Sequence, residues 1–118
     1  MTIKDRGLGF SREVLIVDEF PQVVLELDPN RQDLSIFNLS DTEIVFIALG
    51  TRDYPELLES GRYPKEMAIP LFPGETFEPS VVPYNDITLF LDVGSTNVIV
   101  TVAYTTLLPE LVSGEASP

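Results

Sequence analysis

The chain contains no cysteine, no histidine and no tryptophan. Without cysteine there are no disulfides and no thiolate metal sites. Without histidine, the commonest general base, the usual partner of a nucleophilic serine and the commonest zinc ligand are lost together. The missing tryptophan takes away one of the aromatic faces on which a sugar would stack. Bases are scarce as well: 7 Lys and Arg stand against 19 Asp and Glu, a net charge of −12. A field of that sign repels nucleic acid, because affinity for phosphates comes from Lys and Arg. The longest apolar run, Ile44–Leu49, is the length of a strand, far short of the roughly 18 residues that suggest a membrane span. The opening Met1–Arg6 lacks the apolar stretch of a secretory leader. The expectation is a soluble chain made inside a cell, with neither nucleic acid nor membrane as a partner.

What is present is enough for one domain. The 118 residues are 44% apolar, which supports a folded core. The charge is unevenly spread. Residues 1–12 carry Lys4, Arg6 and Arg12 against Asp5, a net of +2, while residues 13–118 carry 4 bases against 18 acids, a net of −14. Residues 1–12, with Gly7 and Gly9, read as a flexible N-terminal arm, 13–112 as the domain, and 113–118 as a loose tail.

Strand signals follow one another closely. Glu13–Val17 is a short β-branched run. Gln22–Asp28 alternates, with Val23, Leu25 and Leu27 on one face and Val24, Glu26 and Asp28 on the other. Asp28-Pro-Asn-Arg is turn chemistry. Asp33–Ser40 and Glu43–Leu49 read as an antiparallel hairpin about Asp41-Thr42, the second strand apolar on both faces and so central or covered by a partner. Residues 50–64 break the pattern. Asp53–Gly61 reads as one or two helical turns, with Asp53 as N-cap, Glu56 as its reciprocal capping residue and Gly61 as terminator. Strands resume with Ala68–Phe72, a Pro73-Gly74 type II turn, and Thr76–Val82, kinked or edge-placed by Pro79 and Pro83. In Asp86–Asp92 the residues Ile87, Leu89 and Leu91 face inward, and in Asn97–Thr105 Val98, Val100, Val102 and Tyr104 share a face. About eight short strands with one short helical insertion predict an all-β chain, an antiparallel β-sandwich or jelly roll.

Chemical motifs do not emerge. Asp18 and Glu19 are adjacent, so on an extended chain they point to opposite faces and do not form a glycosidase pair. Asp28, Asn30 and Asp33, and Asn85 with Asp86, have oxygen ligands but no calcium-loop spacing, and turn roles account for them. No serine has a histidine partner and no Gly-x-Ser-x-Gly elbow occurs. Phe37, Phe46, Phe72, Phe90 and Tyr104 fall within strand patterns and are expected in the core. Tyr54, Tyr63 and Tyr84 fall in loops, where amphipathic rings serve either contacts or local packing. No catalytic, cofactor or metal residue is assigned, and the chain is not expected to be an enzyme.

The order of segments resembles a known class. Pro29-Asn-Arg-Gln-Asp-Leu-Ser-Ile-Phe-Asn-Leu-Ser-Asp41, then Ile44-Val-Phe-Ile-Ala-Leu-Gly50, then Ile69-Pro-Leu-Phe-Pro-Gly-Glu-Thr76 is similar to small tailed-bacteriophage virion proteins. A strand pair like Ile87–Leu91 and Val98–Tyr104 closes such domains. The resemblance covers residues 29 to 105, and the Thr51–Pro64 insertion departs from it. It implies a capsid decoration (cement) protein, or a related head or fibre module, that oligomerises, commonly as a homotrimer. Its partners would then be the major capsid protein and copies of itself, and its place the capsid exterior of the virion after synthesis in the host cytoplasm. On that reading the contact residues are Lys4, Arg6 and Arg12 in the arm, and Tyr54, Leu57, Leu58 and Tyr63 in the insertion. The alternative is a fibre tip or a receptor- or carbohydrate-binding module.

Overall fold

The computed structural model describes residues 8–61 and 63–108. It has eight strands: β1 (Leu8–Val17), β2 (Gln22–Leu25), β3 (Arg31–Asn38), β4 (Val45–Leu49), β5 (Ile69–Leu71), β6 (Thr76–Phe77), β7 (Ile87–Leu91) and β8 (Val98–Leu107). One short helix, α1 (Pro55–Glu59), lies between β4 and β5, flanked by 3-10 turns at Thr51–Asp53 and Lys65–Met67. Two four-stranded antiparallel sheets result, in the orders β1-β8-β3-β6 and β2-β7-β4-β5.

The pairings are nested. β1 pairs with β8, β2 with β7, β3 with β6 and β4 with β5. The chain is therefore one long hairpin with its tip between β4 and β5, rolled so that successive pairs alternate between sheets. That is a jelly roll, one of the two architectures expected. The roll corrects the local pairing expected for Asp33–Ser40 and Glu43–Leu49. β3 and β4 lie in opposite sheets, and Ser40–Ile44 is a crossover between them. Asn38 stabilises this crossover from a fully buried position. Its Nδ2 donates to the Glu43 carbonyl at 2.8 Å and the Leu71 carbonyl at 3.0 Å, and its Oδ1 accepts from the Ser40 amide at 2.9 Å.

The core between the sheets is built by alternation. Val98, Val100 and Val102 of β8, with Leu34 and Ile36 of β3, meet Ile87, Leu89 and Leu91 of β7 and Val45 and Ile47 of β4. Each such side chain stabilises the fold by about 1.5–3 kcal/mol through removal from water. β2 ends sooner than its alternation suggests. A bulge between Val23 and Leu25 breaks the register, so Leu25 is buried while Leu27 is turned out. The Pro73-Gly74 turn forms as expected, with Gly74 at φ +78° and the Glu75 amide on the Phe72 carbonyl. Short β6 lies at a sheet edge, as Pro79 and Pro83 suggest.

At its start the strand pattern runs further than the sequence reading had it. Leu8–Arg12, assigned there to the arm, continue β1 and pair with Ala103–Leu107 of β8. The cause is the length of β8, which offers ten residues of ladder to a chain that Gly9 does not prevent from staying extended. Residues 1–7, with Lys4 and Arg6, and the tail 113–118 lie outside the described residues.

Candidate interaction surface

The outer faces of the two sheets are treated differently. On the β2-β7-β4-β5 sheet, Phe46, Ala48 and Phe90 point away from the core and are buried all the same. The rings of Phe46 and Phe90 stack with centroids 5.5 Å apart. The cover is the insertion between β4 and β5. Tyr63 lies 5.7 Å from Phe90, ring to ring, and Leu57 and Ala68 pack on the same cluster. A strand apolar on both faces was read as central or covered by a partner; β4 is paired on both sides and covered by its own chain.

Polar contacts pin this lid at both ends. The buried Thr51 hydroxyl donates to Asp86 Oδ2 at 2.9 Å and lies 2.6 Å from the Thr88 hydroxyl, so the order Thr88 to Thr51 to Asp86 satisfies all three. Asp86 Oδ2 also accepts the Arg52 amide. Further out, Arg52 pairs with Glu26 at 2.6 Å and Lys65 with Asp92 at 2.8 Å. The hydrogen bond and charge of Asp92 raise the Lys65 ammonium above its ordinary range, and Lys65 lowers the Asp92 carboxyl in return. Both pairs are half exposed and orient the lid more than they stabilise it.

The structure places the insertion's proposed contact residues differently from one another. Tyr63 is buried against Phe90, and desolvation pushes its phenol above the ordinary value, so it is a core residue of the lid. Leu57 is half-buried in the same cluster and Leu58 is half-buried beside it, while Tyr54 stands exposed ahead of α1. Asp53 does not cap the helix. It ends a 3-10 turn, Tyr54 takes the N-cap position and Pro55 opens α1, where a missing N–H costs nothing. Gly61, at φ +74°, stands just beyond the helix end as expected. Between the lid and the β1–β2 connection lies an open hollow of about 410 Å³, lined by Phe20, Tyr63, Phe90 and the Lys65–Asp92 pair.

Among the described residues nothing covers the outer face of the β1-β8-β3-β6 sheet. Phe10, Val14 and Ile16 of β1 are each more than two-thirds exposed, and Leu8 and Ile99 are exposed beside them. The register sorts this face into rows. Ile16 faces Ile99, and Leu39 continues that row with its amide on the Ile99 carbonyl. Val14, Thr101, Phe37 and Thr76 form the next row, and Arg12, Ala103 and Ser35 the one after, with Glu78 following Phe77 at its far end. Phe10, Thr105 and Asp33 come next, the Thr105 hydroxyl donating to Asp33 at 3.0 Å. Monomeric proteins seldom leave so many large apolar side chains together on one face in water.

Of the contact residues proposed from sequence that lie among the described residues, Arg12 is the one on this bare face. Its neighbour Phe10 was missed because the residues ahead of Glu13 were read as arm, and Val14 and Ile16 because a five-residue run, Glu13–Val17, does not say which of its faces is left bare. The signal was there in the alternation of Leu8, Phe10, Val14 and Ile16. Phe37 is only half-buried, on this same outer face, and Phe72 is exposed at the turn after β5, so neither belongs to the core as expected; Phe46 and Phe90 are buried, under the lid rather than between the sheets. Asp28 closes its own turn by accepting the Asn30 amide, and among the described residues no group of three or more carboxylates is placed to hold a metal ion. Among them, too, no helix is long and apolar enough to cross a membrane. Comparison of the chain with protein-family models, with curated proteins and with solved structures finds no match.

Proposed function

We propose that this chain is a structural virion protein, a capsid decoration protein that acts by burying the outer face of its β1-β8-β3-β6 sheet in a protein assembly. The observation that carries the reading is the contrast between the two sheets. The chain spends an eighteen-residue insertion, residues 51–68, on covering one outer face, while among the described residues none covers the other, with Phe10, Val14, Ile16 and Ile99. A face left apolar in that way is made for contact. The similarity of residues 29–105 to small phage virion proteins supplies the assembly, and the jelly roll agrees with it by analogy, since viral capsid domains use this fold among others. No chemical step is asked of the molecule.

The experiment is co-sedimentation of the purified chain with empty capsids. A defined copy number per particle, lost in Val14→Asp and Ile16→Asp variants that keep the parent's circular dichroism, is the expected result. Failure of the parent chain to bind capsids would remove the reading. A second reading, a receptor- or glycan-binding module of a phage fibre, is favoured by the hollow beside the lid, where the exposed Phe20 ring offers a stacking face. Glycan-array binding lost in Phe20→Ala supports it in place of the first.

A further inference from the structure

We infer that the occupant of the bare face is a second copy of this chain, packed face to face about a twofold axis. The inference rests on the reading of that face as a contact surface and names its partner. Its basis is the row Arg12–Ala103–Ser35–Glu78, which carries a cation at one end and a carboxylate at the other. The two ends are three strand spacings apart, about 14 Å, beyond the reach of a direct pair within one copy. Among the described residues neither Arg12 nor Glu78 has an ion-pair partner.

A twofold axis parallel to the strands, over the seam between β8 and β3, keeps each row level and exchanges its ends. Arg12 of each copy then lies over Glu78 of the other, with Asp33 one row away. Ile99 falls over Leu39, and Val14 over Thr76. The aligned packing of twisted sheets, about 30° between strand directions, shifts these partners by about a residue, which long Arg and Glu side chains absorb. The four strands, of 10, 10, 8 and 2 residues at about 3.3 Å per residue and 4.8 Å apart, give a footprint of roughly 475 Å² per copy, or just under about 1,000 Å² in all, the lower bound for a specific interface.

The other symmetric route, pairing the open edge of β1 with itself, is opposed by charge. A twofold perpendicular to the sheet and centred on the strand places Arg12 opposite Arg12 or Glu13 opposite Glu13. Only the face-to-face arrangement turns the charges of this surface to advantage, and it closes at two copies.

The test is sedimentation equilibrium of the full chain at physiological salt, where the screening length of about 8 Å mutes the long-range repulsion between two acidic bodies. The parent is expected to reach a monomer–dimer equilibrium. Arg12→Glu should weaken it at least tenfold, Glu78→Arg likewise, and the double charge swap should restore it, with circular dichroism reporting an unchanged fold. A monomer that binds capsids through the same face would overturn this inference and leave the proposed function standing. A dimer that ignores capsids would do the reverse. A trimer, as the phage resemblance implies, or a dimer in which the double swap rescues nothing, would overturn the arrangement proposed.

Discussion

The Arg31 guanidinium donates to the Pro83 carbonyl at 2.7 Å and so joins the start of β3 to a segment 52 residues later. The same nitrogen reaches the Asn85 carbonyl at 3.1 Å, and the second terminal nitrogen reaches the Glu26 carbonyl at 2.8 Å. The group lies 5.9 Å from the centre of the Tyr104 ring, and its Nε has no partner among the described residues. Desolvation lowers its pKa, opposed by Asp28 and Tyr104, yet a guanidinium remains charged throughout the working range. Two loops, β2–β3 and β6–β7, thus depend on one buried cation. Arg31→Met leaves three carbonyls without a donor and should cost about 2–4 kcal/mol. Arg31→Lys keeps the charge without the fork, and should cost less. Urea unfolding, with the midpoint shifted and the slope unchanged, is the check. A change under about 0.5 kcal/mol in the Met variant, the range of surface substitutions, would refute the bracket.

The lid should loosen as a unit. Tyr63→Ala removes the ring that packs on Phe90, and truncating a buried aromatic costs about 3 kcal/mol. Because the lid lies outside the sandwich core, amide exchange should accelerate across residues 51–68 before it does in β7 or β8. Uniform acceleration would mean that the insertion is not a separate layer. The phenol also gives the lid a pH dependence. Burial raises its pKa, so the folded state favours the neutral form. Its contribution is complete below the ordinary tyrosine value of about 10 and is lost as pH rises through the folded value. Phenolate absorbance of the parent, compared with the Ala variant, should show one tyrosine ionising late.

Thr51 is the point where the lid meets the sheet. Thr51→Val keeps the shape but leaves Asp86 short of a donor and the Thr88 hydroxyl facing a methyl group. A loss of about 1–3 kcal/mol is expected from the unpaired buried groups. Thr51→Ser keeps the hydroxyl and should lose well under half of that. Thermal unfolding of the pair separates the two. Equal losses would assign the effect to the methyl group and refute the polar pin.

The strands themselves were legible because alternation is local. Val98, Val100 and Val102 declare a buried face by their spacing, and so do Ile87, Leu89 and Leu91. Pairing was not legible, because in a nested hairpin only β4 and β5 are both neighbours in sequence and partners in space. β3 and β4 sit six residues apart with a polar turn between them, and nothing in those residues tells a hairpin from a crossover. Tyr63 shows the same limit from the other side. A loop tyrosine reads as exposed until the apolar outer face of β4 and β7 supplies it with a place to go. Arg12 was found for its charge alone, and the row that gives the charge a meaning needed the register of β1 against β8.

Asn38 offers the sharpest discrimination. Its Nδ2 sits between the carbonyls of Glu43 and Leu71, and its Oδ1 holds the Ser40 amide, so the amide is specified atom by atom. Asn38→Ala leaves those groups unpaired and should cost about 2–3 kcal/mol. Asn38→Asp is nearly the same size, yet it should cost more at neutral pH, because it aims a carboxylate oxygen at two carbonyl oxygens in a fully buried site. Protonation lets that oxygen donate to one of them. The aspartate in the variant would therefore have a folded pKa raised above its unfolded value of about 3.9. Its penalty is smallest below that value and grows as pH rises through the folded one. Unfolding free energies of both variants across mildly acidic to neutral pH should show the Asp curve falling away from the Ala curve. Parallel curves would mean that the crossover does not depend on the donor at this position.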